Sequence, residues 1–322
     1  MRTELDSEKA SVVSVVIPSY NTKKLLYDCL NSIVNNSKEI PEIIVIDDCS
    51  TDGSYEDIKR NFDFIIIDKN SNNLGFVRTV NRGISLSSGE LVLILNSDTI
   101  FIEDTITIMT EYMLKNENCG IAGCKIIDSE NNIQYTCARG RTTFLSNIWE
   151  QSYLSNLFPK SRIFGSEYMS YWDHNECRDV DAISGAFMMI RRECLDQIGY
   201  FDEIFNSHYE DIDLCYRAKE AGWRVVYNPD TTIVHLSGQS FGIGARSRII
   251  YFQSKYLFFK KYYPSIPQSL LKIISIGSLL GKISLLSAMA IMSKITKSNN
   301  GIHIEKLKSY AKTIQWHFNL SW

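Results

Sequence analysis

Short apolar runs closed by polar residues set the rhythm of the first hundred residues. Within VVSVVIPSYN, residues 12–17 read as a strand stopped by Pro18. From Lys23 to about Val34 the spacing is helical, with Leu25, Leu26, Cys29, Leu30 and Ile33 on one face. EIIVIDDCSTDGS supplies a second strand ahead of a weaker helix, FIII at residues 64–67 a third, and residues 76–88 a helix leading into a fourth, Leu91–Leu95. This last run passes without a linker into Asn96, Ser97, Asp98 and Thr99. A stretch so short and so uniformly apolar reads as a strand buried on both faces. Strands alternating with helices predict an α/β fold with a mostly parallel sheet and right-handed crossovers.

Three of the strands end in polar clusters: Ser19–Asn21, Asp47–Asp52 and Asn96–Thr99. Turn chemistry alone would explain any one of them. Three on the edge of an open α/β sheet where ligands bind point to a site. Carboxylates gathered there repel unless a cation is present, so Asp47, Asp48 and Asp98 imply a hard divalent ion, Mg²⁺ or Mn²⁺, shared with a phosphorylated ligand.

Residues 125–180 lack a clear period and are rich in aromatics, which suits either an insertion shaping a pocket or loops and short helices packed on the sheet. Regular structure resumes with a strand near 183–190, where Gly185 marks a place for close backbone approach, a helix at about 208–221, and short strands at 224–227 and 232–235. From Pro264 the chain is apolar, but Lys272, Lys282 and Lys294 interrupt it. A spanning helix wants about 20 apolar residues with few charges, so the reading here is a helix lying on a bilayer surface, with helices capping the domain as the rival. The expected organisation is a catalytic domain over 1–262, with halves of about 11–124 and 125–262, and a helical C-terminal extension over 263–322.

A formal net charge of -3 over 322 residues argues against nucleic acid as partner. Eight scattered cysteines without a CxxC pair read as reduced, packed thiols. The charged start, MRTELDSEKA, has no apolar core of signal-peptide length, which makes the cytoplasm the default expectation. Walker A, Gly-x-Ser-x-Gly and zinc-framework patterns are absent from the sequence.

His235 closes the last strand of the core; such a histidine is commonly a structural hydrogen bonder, and as a ligand it favours Mn²⁺ over Ca²⁺. In SHYEDIDLCYR, Ser207 and Glu210 fit a capping box, while Asp211 and Asp213 suit a helix N-terminus. Asp211 also suits a general base held by that helix. The glycine-rich HLSGQSFGIGARSR ends in Arg246 and Arg248, guanidinium groups that could close over a diphosphate.

Taken together, SVVIPSYN, VIDDCSTDGS, NNLGFVRTVNRGI, LVLILNSDT, SGAFMMIRRECLDQIGYFDE and YEDIDLCYRAKEAGWRVVYNPDTTIVH resemble the inverting family 2 glycosyltransferases, in particular their bacterial rhamnosyltransferase-like branch. The resemblance covers about residues 11–260 and implies a GT-A-type nucleotide-sugar-binding fold. It implies transfer of a sugar from a nucleotide-sugar donor, dTDP-rhamnose or a UDP-hexose, to a hydroxyl of a glycan acceptor, one linked to polyprenyl diphosphate agreeing with the tail. Asp47 and Asp48 match the nucleoside-binding aspartates, Pro18 and Tyr20 the loop flanking the base, and Asn73 and Gly75 the next nucleoside-side loop. Asn96-Ser97-Asp98 matches the Asp-x-Asp metal motif, with Asn96 a departure that removes one charge and Asp98 the residue that holds Mn²⁺ or Mg²⁺. His235 matches a metal-ligand histidine, and Glu210-Asp211 the motif whose aspartate is the catalytic base. A sugar-1-phosphate nucleotidyltransferase and a non-catalytic sugar-nucleotide-binding protein are the alternatives.

Overall fold

In this computed structural model the described residues are 12–236, 244–295 and 301–320, with side chains described outside 289–304. The chain divides into two compact units. One comprises residues up to Arg139, His174–Glu203 and Asp211–Ser240; the other comprises Gly140–Asp173, Ile204–Glu210 and the chain from Phe241. The boundary expected at residue 262 falls inside the second unit.

The first unit opens with β1 (Val13–Ser19), α1 (Lys23–Asn36), β2 (Glu42–Asp47), α2 (Ser54–Asn61), β3 (Ile66–Lys69), α3 (Phe76–Leu86), β4 (Leu91–Leu95) and β5 (Thr99–Phe101). It continues with α4 (Thr105–Lys115) and β6 (Cys119–Ile127). The second unit supplies α5 (Phe144–Gln151) and α6 (Leu154–Leu157). The chain then gives the first unit β7 (Arg178–Asp179), β8 (Phe187–Arg191), α7 (Arg192–Ile198), most of α8 (Glu210–Glu220) and β9 (Arg224–His235). Helices α9 (Ala245–Tyr262), α10 (Gln268–Ile295) and α11 (Gly301–Asn319) complete the second unit.

All nine strands form one sheet of order β3-β2-β1-β4-β8-β6-β9-β5, with β7 on β9. The half from β3 to β4 is parallel, as alternating strands and helices predict. Beyond it the sheet is mixed, since β8 runs antiparallel to both β4 and β6. Every residue of β4 is fully buried, which explains its lack of alternation: helices cover both faces and leave no solvent side for polar residues. Pro18 lies inside β1 rather than ending it. It can, because β1 pairs with β4 only as far as Val16, so a missing N–H beyond that point costs no ladder bond.

The third strand sits two residues later than the FIII run, because pairing with β2 begins at Ile66; Phe64 instead packs edge-on against Phe62. The strand expected near 183–190 spans Phe187–Arg191. The two short strands expected at 224–227 and 232–235 form one strand, β9. Its register with β6 jumps from Cys124↔Asn228 to Lys125↔Thr232, so Pro229 sits in a bulge where no donor is needed. The Ser207–Glu210 capping box does not start α8. Glu210 is already its first residue, and His208 and Tyr209, at φ 67° and 68°, are left-handed and so cannot form the first helical turn that a cap at Ser207 requires. Gly185 meets only Asp211 Cβ, at an ordinary 3.8 Å from a built Cβ, so close approach is not what that position requires. The eight cysteines are unpaired and six are buried, in keeping with packed thiols.

Candidate active site

The loops after β1, β2 and β3 are stitched together by carboxylates. Asp47, 1% exposed, accepts from Ser50 N at 2.9 Å and from Ser54 Oγ at 3.2 Å, and Lys69 Nζ lies 3.9 Å away. Asp48 accepts from Leu74 N at 2.7 Å and Asn70 Nδ2 at 2.8 Å on one oxygen, and from Gly75 N at 2.9 Å on the other. That places a carboxylate at the N-terminal end of α3, where unpaired backbone N–H groups and the helix dipole favour a negative group. Gly75 has φ 87°, a left-handed conformation that a side chain would strain, so the residue is fixed by the turn it makes. Asn73 is exposed, with Nδ2 3.5 Å from Asp48 O. Asn21 Oδ1 accepts from Thr51 N at 2.8 Å, which clips the loop after β1, with half-exposed Tyr20 just beyond the strand that holds Pro18, to the β2 loop. Asp47 and Asp48 therefore build the loops of this edge with their own oxygens.

The turn after β4 is organised differently. Ser97 Oγ lies 3.0 Å from Thr22 Oγ1, tying the turn to the β1 side. Strand β5 pairs antiparallel with β9 so that Thr99 opposes His235. This register brings a histidine from the far end of the sheet to Asp98: His235 Nε2 is 3.1 Å from Asp98 Oδ1, and Asn96 Nδ2 is 3.4 Å from the same nitrogen. Asp98 is 2% exposed. Beneath the turn, burial pushes the Cys29 thiol up to about 12, so it stays a neutral packing group beside Thr99.

Gln134, from the segment after β6, grips His235 twice. Its Nε2 donates to His235 O at 2.7 Å, which fixes the amide so that Oε1 faces His235 Nδ1 at 2.9 Å. Oε1 can only accept, so Nδ1 carries the hydrogen, and Nε2 is the nitrogen turned towards Asp98. One carboxylate oxygen and one imidazole nitrogen aimed at the same point form a donor set that suits Mn²⁺. No cluster of three or more His, Cys, Asp or Glu occurs among the described residues. Two protein donors fit an ion that takes the rest of its shell from a diphosphate and water.

Asp211 lies in the first turn of α8. Its Oδ2 accepts from Gly185 N at 3.2 Å and its Oδ1 from Ile212 N at 2.8 Å. The next residue, Ala186, accepts from Asn96 N through its carbonyl at 3.2 Å. The two-residue lead-in to β8 thus holds Asp211 on one side and the Asn96–Asp98 turn on the other. Asp213, fully buried, is a structural anchor: it holds Arg217 Nε at 2.9 Å, and Arg217 donates to the carbonyls of Ile198 and Tyr200.

In the second unit, Glu210 is buried. Arg246 is exposed on α9, while Arg248 Nη1 donates to Ser309 Oγ at 2.7 Å with its guanidinium 4.0 Å over the Tyr310 ring. Of the glycine-rich loop before them, residues 237–243 lie outside the described residues. Gln134 and Asn70 were not singled out from sequence. An isolated amide in an irregular stretch carries no signal until the fold shows what it faces.

The parallel half of this α/β sheet thus ends in carboxylate-built loops, next to an Asp–His pair, at the edge where open α/β sheets bind ligands. The sequence profile of Glycosyl transferase family 2 matches residues 14–199, more than half of the chain. The chain belongs to that family, and the nucleotidyltransferase alternative falls away. It is 25% identical over 268 residues to the N-acetylglucosaminyl-diphospho-decaprenol L-rhamnosyltransferase of Mycobacterium tuberculosis, covering 77% of this chain and 83% of the relative. It is 25% identical over 266 residues to the poly-beta-1,6-N-acetyl-D-glucosamine synthase of Staphylococcus epidermidis, covering 81% of this chain and 59% of that protein. Among solved structures, a mannosyltransferase from Pyrobaculum calidifontis in complex with GDP-Man and Mn²⁺ superposes with a TM-score of 0.52 at 16% identity, over 96% of this chain and 88% of that one. GalNAc-T7 with UDP, GalNAc and Mn²⁺ gives 0.55 at 16% identity, over 84% and 56%. At these identities the superpositions establish the fold, which is of the GT-A glycosyltransferase type.

Proposed function

We propose that this protein transfers a sugar, with inversion, from a nucleotide-sugar donor to a hydroxyl of a glycan carried on a polyprenyl diphosphate at the cytoplasmic face of a membrane. The observation that carries the reading is the lead-in to β8, where Gly185 N binds Asp211 and Ala186 O binds Asn96. It supports a single cleft in which a base and a diphosphate site face one substrate. The printed name of the mycobacterial relative supports a rhamnosyl donor and a lipid-linked acceptor.

Asp211 is the general base. An acceptor hydroxyl is a weak nucleophile until its proton is taken, and a carboxylate whose two oxygens are oriented by Gly185 N and Ile212 N retains lone pairs for that proton. The new bond forms at the anomeric carbon from the face opposite the diphosphate, so one displacement inverts the centre and needs no covalent intermediate. Asp98 and His235 are the residues that would hold a divalent cation, Mn²⁺ or Mg²⁺, which when bound neutralises charge on the leaving diphosphate. Gln134 fixes the ring of His235 for that purpose. The loops built by Asp47 and Asp48, with Pro18, Tyr20, Asn73 and Gly75, receive the nucleoside, and Asn96 and Ser97 line the diphosphate side.

The test is a panel of nucleotide sugars offered with Mn²⁺ or Mg²⁺ and a lipid-linked or short soluble acceptor, with the product anomer read by NMR. Inverted product from wild type and its loss in Asp211→Asn supports the reading. Undiminished turnover in that variant, or retained anomeric configuration, ends it.

A further inference from the structure

Helix α10 is built inside out. Residues Gln268–Ala288 have a mean hydropathy of 1.6 and only 22% of the stretch is buried, the one such helix among the described residues. Its buried positions are Leu271, Ser275, Ser278 and Leu279, so two of four inward side chains are hydroxyls. Outward it shows Leu270, Ile273, Gly277, Leu280, Ser284 and Leu285 at helical spacing, and none of its exposed residues up to 288 is charged. Of the lysines that interrupt the run in sequence, Lys272 and Lys282 are not on this face, and the side chain of Lys294 lies outside the described residues. Lys272 Nζ donates to Leu320 O at 3.4 Å, and Lys282 Nζ lies 5.3 Å over the Tyr153 ring. A surface helix in water exposes charged side chains, and neighbouring α11 does so with Glu305, Lys308 and Lys312.

Charge supplies the second observation. Between residues 244 and 295 there are eight lysines and arginines and no aspartate or glutamate, in a chain whose formal net charge is -3. Lys260 and Lys261 are exposed at the end of α9, one short link before α10. Apolar outer face and basic surroundings are complementary to one phase, an anionic lipid bilayer.

We infer that the outer face of α10 is a bilayer-docking surface, embedded along the interface with Leu270, Ile273, Leu280 and Leu285 in the acyl region and basic groups against lipid headgroups. The helix lies in the interface rather than crossing it, because it packs on α5, α9 and α11, and the last two expose charges that cannot enter hydrocarbon. This deepens the proposed reaction by saying where a lipid-linked acceptor is met, and rests on that reading for the acceptor alone.

The experiment is co-sedimentation of full-length protein with vesicles of pure phosphatidylcholine or of equimolar phosphatidylglycerol and phosphatidylcholine, for wild type, Ile273→Asp/Leu280→Asp and Lys260→Gln/Lys261→Gln. Both double variants change exposed positions, and thermal unfolding checks that they fold. Expected are binding of wild type to the anionic vesicles, a partition lower by on the order of tenfold or more in the aspartate variant, and a smaller, salt-sensitive loss in the glutamine variant. Wild type that stays in the supernatant with both vesicles, or an aspartate variant that pellets equally, overturns the inference. So does a wild-type dimer that the aspartate variant converts to monomer without any vesicle binding, which would make a second copy the occupant. Turnover with a soluble acceptor, measured alongside, separates failure of docking from failure of the proposed reaction.

Discussion

At the C-terminal edge of β1, β2 and β4, polar side chains face each other and the backbone of their own loops; in α10 and α11, serine, threonine and histidine turn inward instead. Ser275, Ser278, Ser309, Thr313 and His317 are buried, and α10 exposes mainly apolar residues with Ser269 and Ser284 and no charge up to residue 288. The strand edge pairs its polar groups with one another and with backbone, whereas Ser278 Oγ of α10 is buried without a hydrogen-bond partner. The strand edge gathers carboxylates, amides and hydroxyls around the loops that follow β1, β2 and β4. The two helices bury hydroxyls and an imidazole, and they differ outside, α11 exposing charges where α10 exposes none up to residue 288.

The largest effect that would break this comparison is at the strand edge. Asp211→Asn should lower turnover by about 10²–10⁴ while leaving the unfolding midpoint near that of wild type, read by steady-state kinetics and denaturant titration. A base whose removal costs nothing would leave the edge as mere loop scaffolding.

Next comes the interior of the second unit. Lys255 Nζ is fully buried without a hydrogen-bond partner, and burial holds its pKa down to about 8 despite Glu150 and Glu167 nearby. Its folded value lies below the ordinary 10.5, so between those two pH values the unfolded chain binds more protons and stability rises with pH. The rise should amount to about 3 kcal/mol, with the penalty present in full below pH 8. Urea unfolding of wild type and Lys255→Met across that window checks it, since the variant should lack the rise.

A somewhat smaller cost belongs to the loops. Asp48→Asn turns an amide N–H₂ towards donors that the carboxylate accepted from, which should cost about 2–3 kcal/mol by denaturant unfolding and speed hydrogen exchange at the Leu74 and Gly75 amides. The finest distinction is at Gln134. Gln134→Leu should weaken Mn²⁺ binding about 10–100-fold, measured by EPR of free Mn²⁺ without donor, and leave overall stability nearly unchanged.

The parallel half of the fold was legible because β1, β2 and β4 are short, largely apolar and almost wholly buried runs, and the ligand edge because those three runs end in oxygen-bearing residues. Strand β6 was not, since CGIAGCKII reads as turn-rich. Its glycines answer to packing: a Cβ at Gly120 would come within 2.7 Å of Trp223 Cβ, and one at Gly123 would collide with Ile183. The meeting of Asp98 with His235 was hidden too, because it depends on pairing between β5 and β9, which lie more than a hundred residues apart in sequence. In the tail, sequence counted the lysines of α10 but not their rotation, and rotation decides what the helix shows.

The bulge in β9 has a consequence for chain length. Between Asn228 and Thr232 the strand loses step with β6, whereas Thr232, Ile233 and Val234 are back in step with Lys125, Ile126 and Ile127. One residue added at 229–230, ahead of buried Thr231, would swell the looped-out stretch and leave His235 aimed as it is. The same addition between Thr232 and His235 would turn the imidazole to the opposite side of the sheet. The molecule thus has a slack joint just upstream of a rigid one, and length drift can collect in the first without disturbing the second.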